Sequence, residues 1–156
     1  MINPNQASPN FPDAFYRVVT KGLCVRDEKI LLVKDFSSPF YREAGGLWEL
    51  PGGGLDFGEN PQEAIAREIK EEMGLETTFV ADKPTYFWTY KRLNKRNMPW
   101  HWVFILGFRF DVEDLNFTPT DECREIKFFS KEELVVASVG DQMEPIKQIF
   151  NPNDFV

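Results

Sequence analysis

Residues 51–75 read PGGGLDFGENPQEAIAREIKEEMGL, and both ends of a helix are written into them. Asn60 suits an N-cap, Pro61 suits the first helical position, and Glu63 completes a capping box. Gly74 supplies the left-handed residue that stops a helix, so the expected helix covers residues 61–73. At about 100° per residue, with Glu68 set to zero, Glu71 falls near ~300° and Glu72 near ~40°. Ile65, Ala66, Ile69 and Met73 fall between about 60° and 160° and form the core-facing stripe. Three carboxylates therefore share one arc, and that arc abuts the buried face.

Such an arc is unfavourable for a bare helix. Like charges three and four residues apart each cost a few tenths of a kcal/mol. Glu71 and Glu72 also stand in the last turn, where the helix dipole disfavours anions by roughly 0.3–1 kcal/mol. A hard divalent cation would turn this repulsion into coordination; a solvated acidic face is the alternative. The preceding loop has glycine at 52, 53, 54 and 58, which lets backbone approach a ligand or ion closely. No Gly-Lys-Ser/Thr follows, so the loop is not a P-loop, and the Gly-x-Gly-x-x-Gly spacing of dinucleotide sites is absent.

The stretch resembles, position for position, the Nudix box, Gly-x5-Glu-x7-Arg-Glu-U-x-Glu-Glu-x-Gly-U with U apolar. The matching residues are Gly53, Glu59, Arg67, Glu68, Ile69, Glu71, Glu72, Gly74 and Leu75. Seven fixed residues and two apolar ones would match by chance with a frequency of roughly 10⁻⁷ over the chain, so coincidence is not a workable explanation. The flanking elements are similar to members of the Nudix hydrolase family over most of residues 15–140. The resemblance implies an α/β (α+β) fold, an α/β/α sandwich with a mixed β-sheet. It implies Mg²⁺, with Mn²⁺ as a substitute, held by Glu68, Glu71, Glu72 and the Gly52 carbonyl. It gives Arg67 the task of orienting the helix carboxylates and makes Glu59 the loop carboxylate of the box. A further acid is expected in a loop before the last strand: Glu122, with Asp121 and Glu125 as rivals. Glu71 is the preferred general base, with exchange of roles among Glu68, Glu71 and Glu122 left open.

Around this segment, residues 15–25 and 29–33 read as strands with a hairpin turn at 26–28. Residues 47–50 form a short strand candidate, and 84–92 and 99–110 are aromatic strands joined across 93–98. Residues 126–129 are the last strand. Ser130 to Glu133 is a capping box for a short helix, and Asp141 is expected to cap another that runs to Phe150. Residues 1–13 carry three prolines and three asparagines and read as a tail before one domain over 14–156. Strands and helices in this order suit a mixed sheet with helices on its faces.

The aromatic run that includes Trp88 and Tyr90 could stack a base, and Tyr90, Trp88 and Arg92 are the substrate-binding candidates. Alternation in 99–110 leaves both faces of that strand apolar, so burial accounts for much of its aromatic content. Lys91, Arg92, Lys95 and Arg96 place four cations within six residues, on distal phosphates or a solvated hairpin tip. His101 has no partner in the sequence pattern.

The chain has 156 residues, enough for one core that buries about 70% of the unfolded surface. A net charge of −7 argues against a nucleic-acid polymer as partner and makes a metal ion necessary for binding a polyphosphate. Only Cys24 and Cys123 occur, without metal spacing, which suggests a reducing compartment, though one bridge would also be compatible. The first ten residues lack signal-peptide features and no run approaches 18 apolar residues, so a cytoplasmic protein away from membranes is expected. A carboxylate helix that gathers Mg²⁺ suits substitution at phosphorus. The resemblance accordingly implies hydrolysis of a small nucleoside diphosphate derivative: a dinucleoside polyphosphate, nucleoside triphosphate or nucleotide sugar. A proline typical of ADP-ribose-cleaving members is replaced by Tyr90, which is similar to dinucleoside polyphosphate hydrolases. The alternatives are an inactive nucleotide-binding or sensor module, and a helix whose glutamates only confer solubility. A homodimer is common in the family, and nothing in these residues decides it.

Overall fold

The structure, a computed structural model, describes residues 16–95 and 98–156, and side chains outside the segment 93–101. The expected tail over residues 1–13 lies outside them, as do the side chains of the hairpin tip and of His101. The elements are β1 (Tyr16–Leu23), β2 (Val25–Arg26), β3 (Lys29–Asp35), α1 (Pro39–Glu43), β4 (Leu47–Glu49), β5 (Gly52–Gly54) and α2 (Pro61–Met73). There follow β6 (Thr77–Val80), β7 (Tyr86–Lys95), β8 (Met98–Val112), β9 (Glu125–Phe129), α3 (Lys131–Val135) and α4 (Ile146–Ile149).

Two sheets result. One has the order β5-β1-β8-β6 with β7 also on β8, and β1 runs parallel to β8 while the other pairs are antiparallel. The other is built on β3, which pairs with β2, β4 and β9. Because β3 and β8 are apolar on both faces, each feeds two cores. Ile30, Leu32, Val103 and Ile105 join Leu134, Ile146 and Phe150 of the C-terminal segments. Leu31, Val33, Phe108 and Phe110 join Ile65, Ile69 and Met73 of α2. Helices on either side of sheets make the mixed α/β/α arrangement that was expected. Among the described residues no helix is long and apolar enough to cross a membrane.

Three expectations are corrected. The hairpin at residues 26–28 joins β3 not to the long first strand but to the two-residue β2. Asp27 and Glu28 both adopt positive φ, 51° and 64°, as a tight two-residue hairpin requires. After Leu23 the chain leaves one sheet for the other. Asp141 does not cap a helix that reaches Phe150: it opens a 3₁₀ turn (Asp141–Met143), and Pro145 then starts α4 separately. The bare glycine run at 52–54, a poor strand former, is nonetheless a strand on the sheet edge, with Val19, Thr20 and Lys21 opposite Gly54, Gly53 and Gly52. Gly52 has φ 132°, and a Cβ there would collide with the Thr20 carbonyl, so only glycine permits this approach.

Candidate active site

The ends of α2 form as the sequence implies. Glu63 N–H donates to Asn60 Oδ1 at 2.8 Å, the Glu63 side chain accepts from Asn60 N–H, and Gly74 has φ 71°. With the helix registered in this way, its apolar stripe carries Glu68 and Glu72 partly under cover, at 8% and 4% exposure. The chain after β8 packs on the C-terminal turn. Thr118 N–H donates to Met73 O at 2.9 Å and the Thr120 hydroxyl donates to Glu72 O at 2.7 Å, which satisfies carbonyls that the helix leaves open. That docking brings Glu122 to the helix. One carboxylate oxygen from each of Glu68, Glu72 and Glu122 lies within 4.8 Å of the others. Asp121 is instead paired with Arg124 at 2.7 Å, and Glu125 lies in β9 opposite Lys34.

Arg67 fixes the outer side of the cluster. Its guanidinium donates to both oxygens of Glu59 at 2.8 and 3.0 Å, to Glu68 at 2.9 Å, to Glu71 at 3.2 Å and to Gly54 O at 3.1 Å. A planar fork with five donors suits this many acceptors, and a lysine would not. These bonds hold the Glu59 carboxyl below the usual carboxylate range. Glu71 stays outside the group of three: its side chain is 58% exposed and faces Arg67 one turn away. Its angle on the helix, on the far side of Glu68 from the apolar stripe, is the physical reason.

Lys21 was not singled out in the sequence, and it holds the inner side. It is 5% exposed, and its ammonium donates to Leu50 O at 3.1 Å and Gly52 O at 3.2 Å. Gly52 N–H in turn donates to Glu72 at 3.2 Å. The Gly52 carbonyl, expected as a backbone metal ligand, thus already accepts one hydrogen bond. A lysine inside the apolar β1 run was the available signal. Burial first, then the charges of Glu122 and Glu68, push Glu72 well above the usual carboxylate range, with Lys21 opposing. Burial also raises Glu68, against the Arg67 hydrogen bond.

A cleft of about 280 Å³ runs from Gly52–Gly54 and Glu122 past Lys21 to Glu49, Tyr41 and Gln142. A second, of about 260 Å³, continues from Tyr41 and Gln142 to Phe40, Tyr90, Arg92 and Asp141. Tyr90 and Arg92, two of the three substrate-binding candidates, line this region. Trp88 does not: it is buried in the core, where its indole N–H donates to Gln142 O at 2.8 Å. Trp88 and Tyr90 lie on the same face of β7, and the segment that carries Gln142 covers Trp88 while Tyr90 lines the opening. Trp88→Phe should therefore cost about 0.5–1.5 kcal/mol in a denaturant titration and leave KM unchanged.

Glu49 forms the floor of the cleft at 3% exposure. It accepts from the Tyr41 hydroxyl and, at 3.5 Å, from Gln142 Nε2. Burial raises its pKa. A carboxyl raised in the folded state contributes stability that is complete below its unfolded pKa and is lost as pH rises through the folded value. Glu49→Gln is thus expected to gain stability relative to wild type at pH 8 compared with pH 5, measured as the difference between urea midpoints.

Cys24 and Cys123 are free and buried, and burial raises their pKa values to about 11 and about 12. The acid cluster, in contrast, fits a hard divalent ion. Two buried carboxylates and a third beside them offer only oxygen donors, the ligand set that a hard divalent ion takes.

A family model described as NUDIX domain matches residues 16–150. The ADP-ribose pyrophosphatase of Methanocaldococcus jannaschii is 47% identical over 58 residues, 37% of this chain and 32% of that protein. The RNA pyrophosphohydrolase of Wolbachia sp. subsp. Brugia malayi is 27% identical over 132 residues, 77% of this chain and 78% of that protein. The chain spans under half the length of several of the curated relatives it matches. Among solved structures, the MutT NUDIX hydrolase from Burkholderia pseudomallei superposes with a TM-score of 0.65 at 21% identity, over 87% of this chain and 99% of that one. That likeness is one of fold.

Proposed function

The chain belongs to the NUDIX domain family, and from that premise we propose that it is a Mg²⁺-dependent hydrolase of the pyrophosphate linkage in a small nucleoside diphosphate derivative. The observation that carries the reading is the convergence of Glu68, Glu72 and Glu122 under the guanidinium of Arg67. A divalent ion, when bound, supplies the positive charge that neutralises diphosphate oxygens. Glu68, Glu72 and Glu122 would hold it. Arg67 keeps Glu68 in one orientation, and Gly52 N–H does the same for Glu72. The proton acceptor is drawn from Glu71, Glu68 and Glu122, the acids at or beside the cluster.

The aromatic cleft suits the nucleoside. Phe40, Tyr41 and Tyr90 offer ring faces, Arg92 a cation. Gln142 Oε1 is buried there without a hydrogen-bond partner among the described residues, an acceptor suited to a ligand N–H. Names of relatives point to ADP-ribose, RNA and CTP as the compounds to try first. Both thiols are free, in keeping with a cytoplasmic location.

The test is a panel of nucleoside triphosphates, dinucleoside polyphosphates, nucleotide sugars, ADP-ribose and 5′-triphosphorylated RNA, assayed with Mg²⁺. At least one should turn over, and EDTA should abolish its hydrolysis. Tight nucleotide binding with no product in Mg²⁺ or Mn²⁺ would overturn the reading in favour of a sensor module.

A further inference from the structure

We propose that Arg17 binds the phosphate chain of the substrate, and that the absent side chain of Gly54 is what admits its guanidinium to the cleft. The inference rests on the phosphoanhydride reading above and adds a residue that lies outside the 51–75 segment.

Alternation along β1 puts Arg17, Val19 and Lys21 on one face, and all three line the cleft with Gly52–Gly54 and Glu122. A Cβ placed on Gly54 would fall inside the Arg17 guanidinium, with Cζ at 2.7 Å and Nε at 3.1 Å. The guanidinium therefore occupies the space that any other residue at 54 would fill. Across the same strand, a Cβ on Gly53 would meet the Glu68 carboxylate at 2.8 Å. The glycine strand β5, at the edge of its sheet, thus has the Arg17 guanidinium against Gly54 and the Glu68 carboxylate against Gly53. A polyphosphate laid across β5 can reach both, because the strand itself carries no side chain.

Other cations stand nearby. Lys21 donates to the Leu50 and Gly52 carbonyls, Arg67 to Gly54 O and the carboxylates around it, and Arg92 lines both clefts. Arg17 lies against Gly54 at the glycine end, where the phosphates of a nucleotide seated on the aromatics of the second cleft would lie. In a chain of net charge −7 a fixed guanidinium there offsets the repulsion that an incoming polyphosphate meets, and it matches phosphate geometry with two parallel donors.

Two variants and two readouts test this. Arg17→Ala should raise KM about 10-fold, more than it lowers kcat, and Arg17→Lys should recover part of the loss. Gly54→Ala leaves Arg17 in the sequence but evicts its guanidinium, and should reproduce the Arg17→Ala effect. Gly54 is not among the glycines with positive φ, and the alanine methyl meets only the end of a flexible side chain, so the variant should fold. Isothermal titration with inorganic tripolyphosphate in Ca²⁺ should show the same weakening, and it reads binding whether or not turnover is seen. Wild-type tripolyphosphate affinity and KM in both variants, or a lowered melting temperature alone, would overturn the role of Arg17. A wild-type protein that hydrolyses nothing on the panel would instead overturn the parent reading, with the titration still deciding Arg17.

Discussion

Glu72→Gln is expected to lower kcat at least about 100-fold and, at the same time, to leave the metal-free protein as stable as wild type or more so. The first effect follows from removing a charge from the three-carboxylate cluster proposed to hold a divalent ion. The second follows from burial, which makes the ionised Glu72 a cost at neutral pH when no cation is present. Glutamine keeps an oxygen to accept from Gly52 N–H, so the loop need not move. Thermal melting in EDTA beside steady-state kinetics in Mg²⁺ checks both halves. A variant with wild-type kcat would remove the basis for assigning Glu72 to the reaction.

Lys21→Met should destabilise the protein by about 3–5 kcal/mol in urea titration, the usual result of stripping a buried charge cluster of one partner. Methionine fills a similar volume but leaves the Leu50 and Gly52 carbonyls without a donor. It also removes the cation that favours the ionised forms of Glu49 and Glu72. The double variant Lys21→Met, Glu49→Gln should regain part of the loss, since one of the two stranded charges is gone. Stability equal to wild type in the single variant would show that the ammonium contributes nothing to the loop.

What the sequence made legible follows from how local the determining chemistry is. Helix α2 was readable to the residue because its cap, first-turn proline, capping box and terminal glycine are each local signals, and each forms as read. The burial of Glu68 and Glu72 followed from their angle to the apolar stripe, and the same geometry left Glu71 exposed, a consequence not drawn from the box alone. Glu122 could be chosen over its neighbours only by resemblance, because its place depends on Thr118 and Thr120 docking on the end of α2. Strand β5 was missed because three glycines have no strand propensity, and pairing with β1 is what makes them a strand. Trp88 and Tyr90 share a sheet face and differ only in what the C-terminal segment covers, which no local pattern reveals. Lys21 and Glu49 approach each other's surroundings from β1 and β4, and long-range packing of that kind is invisible to periodicity.

The central claim is that Glu68, Glu72 and Glu122 form a divalent-ion site. Anomalous diffraction from crystals soaked in Mn²⁺ with a non-hydrolysable nucleotide analogue tests it most directly. The account predicts an anomalous peak in contact with the carboxylates of Glu68 and Glu72. Saturating Mn²⁺ that leaves no peak there, with both acids hydrated by ordinary water, would contradict it.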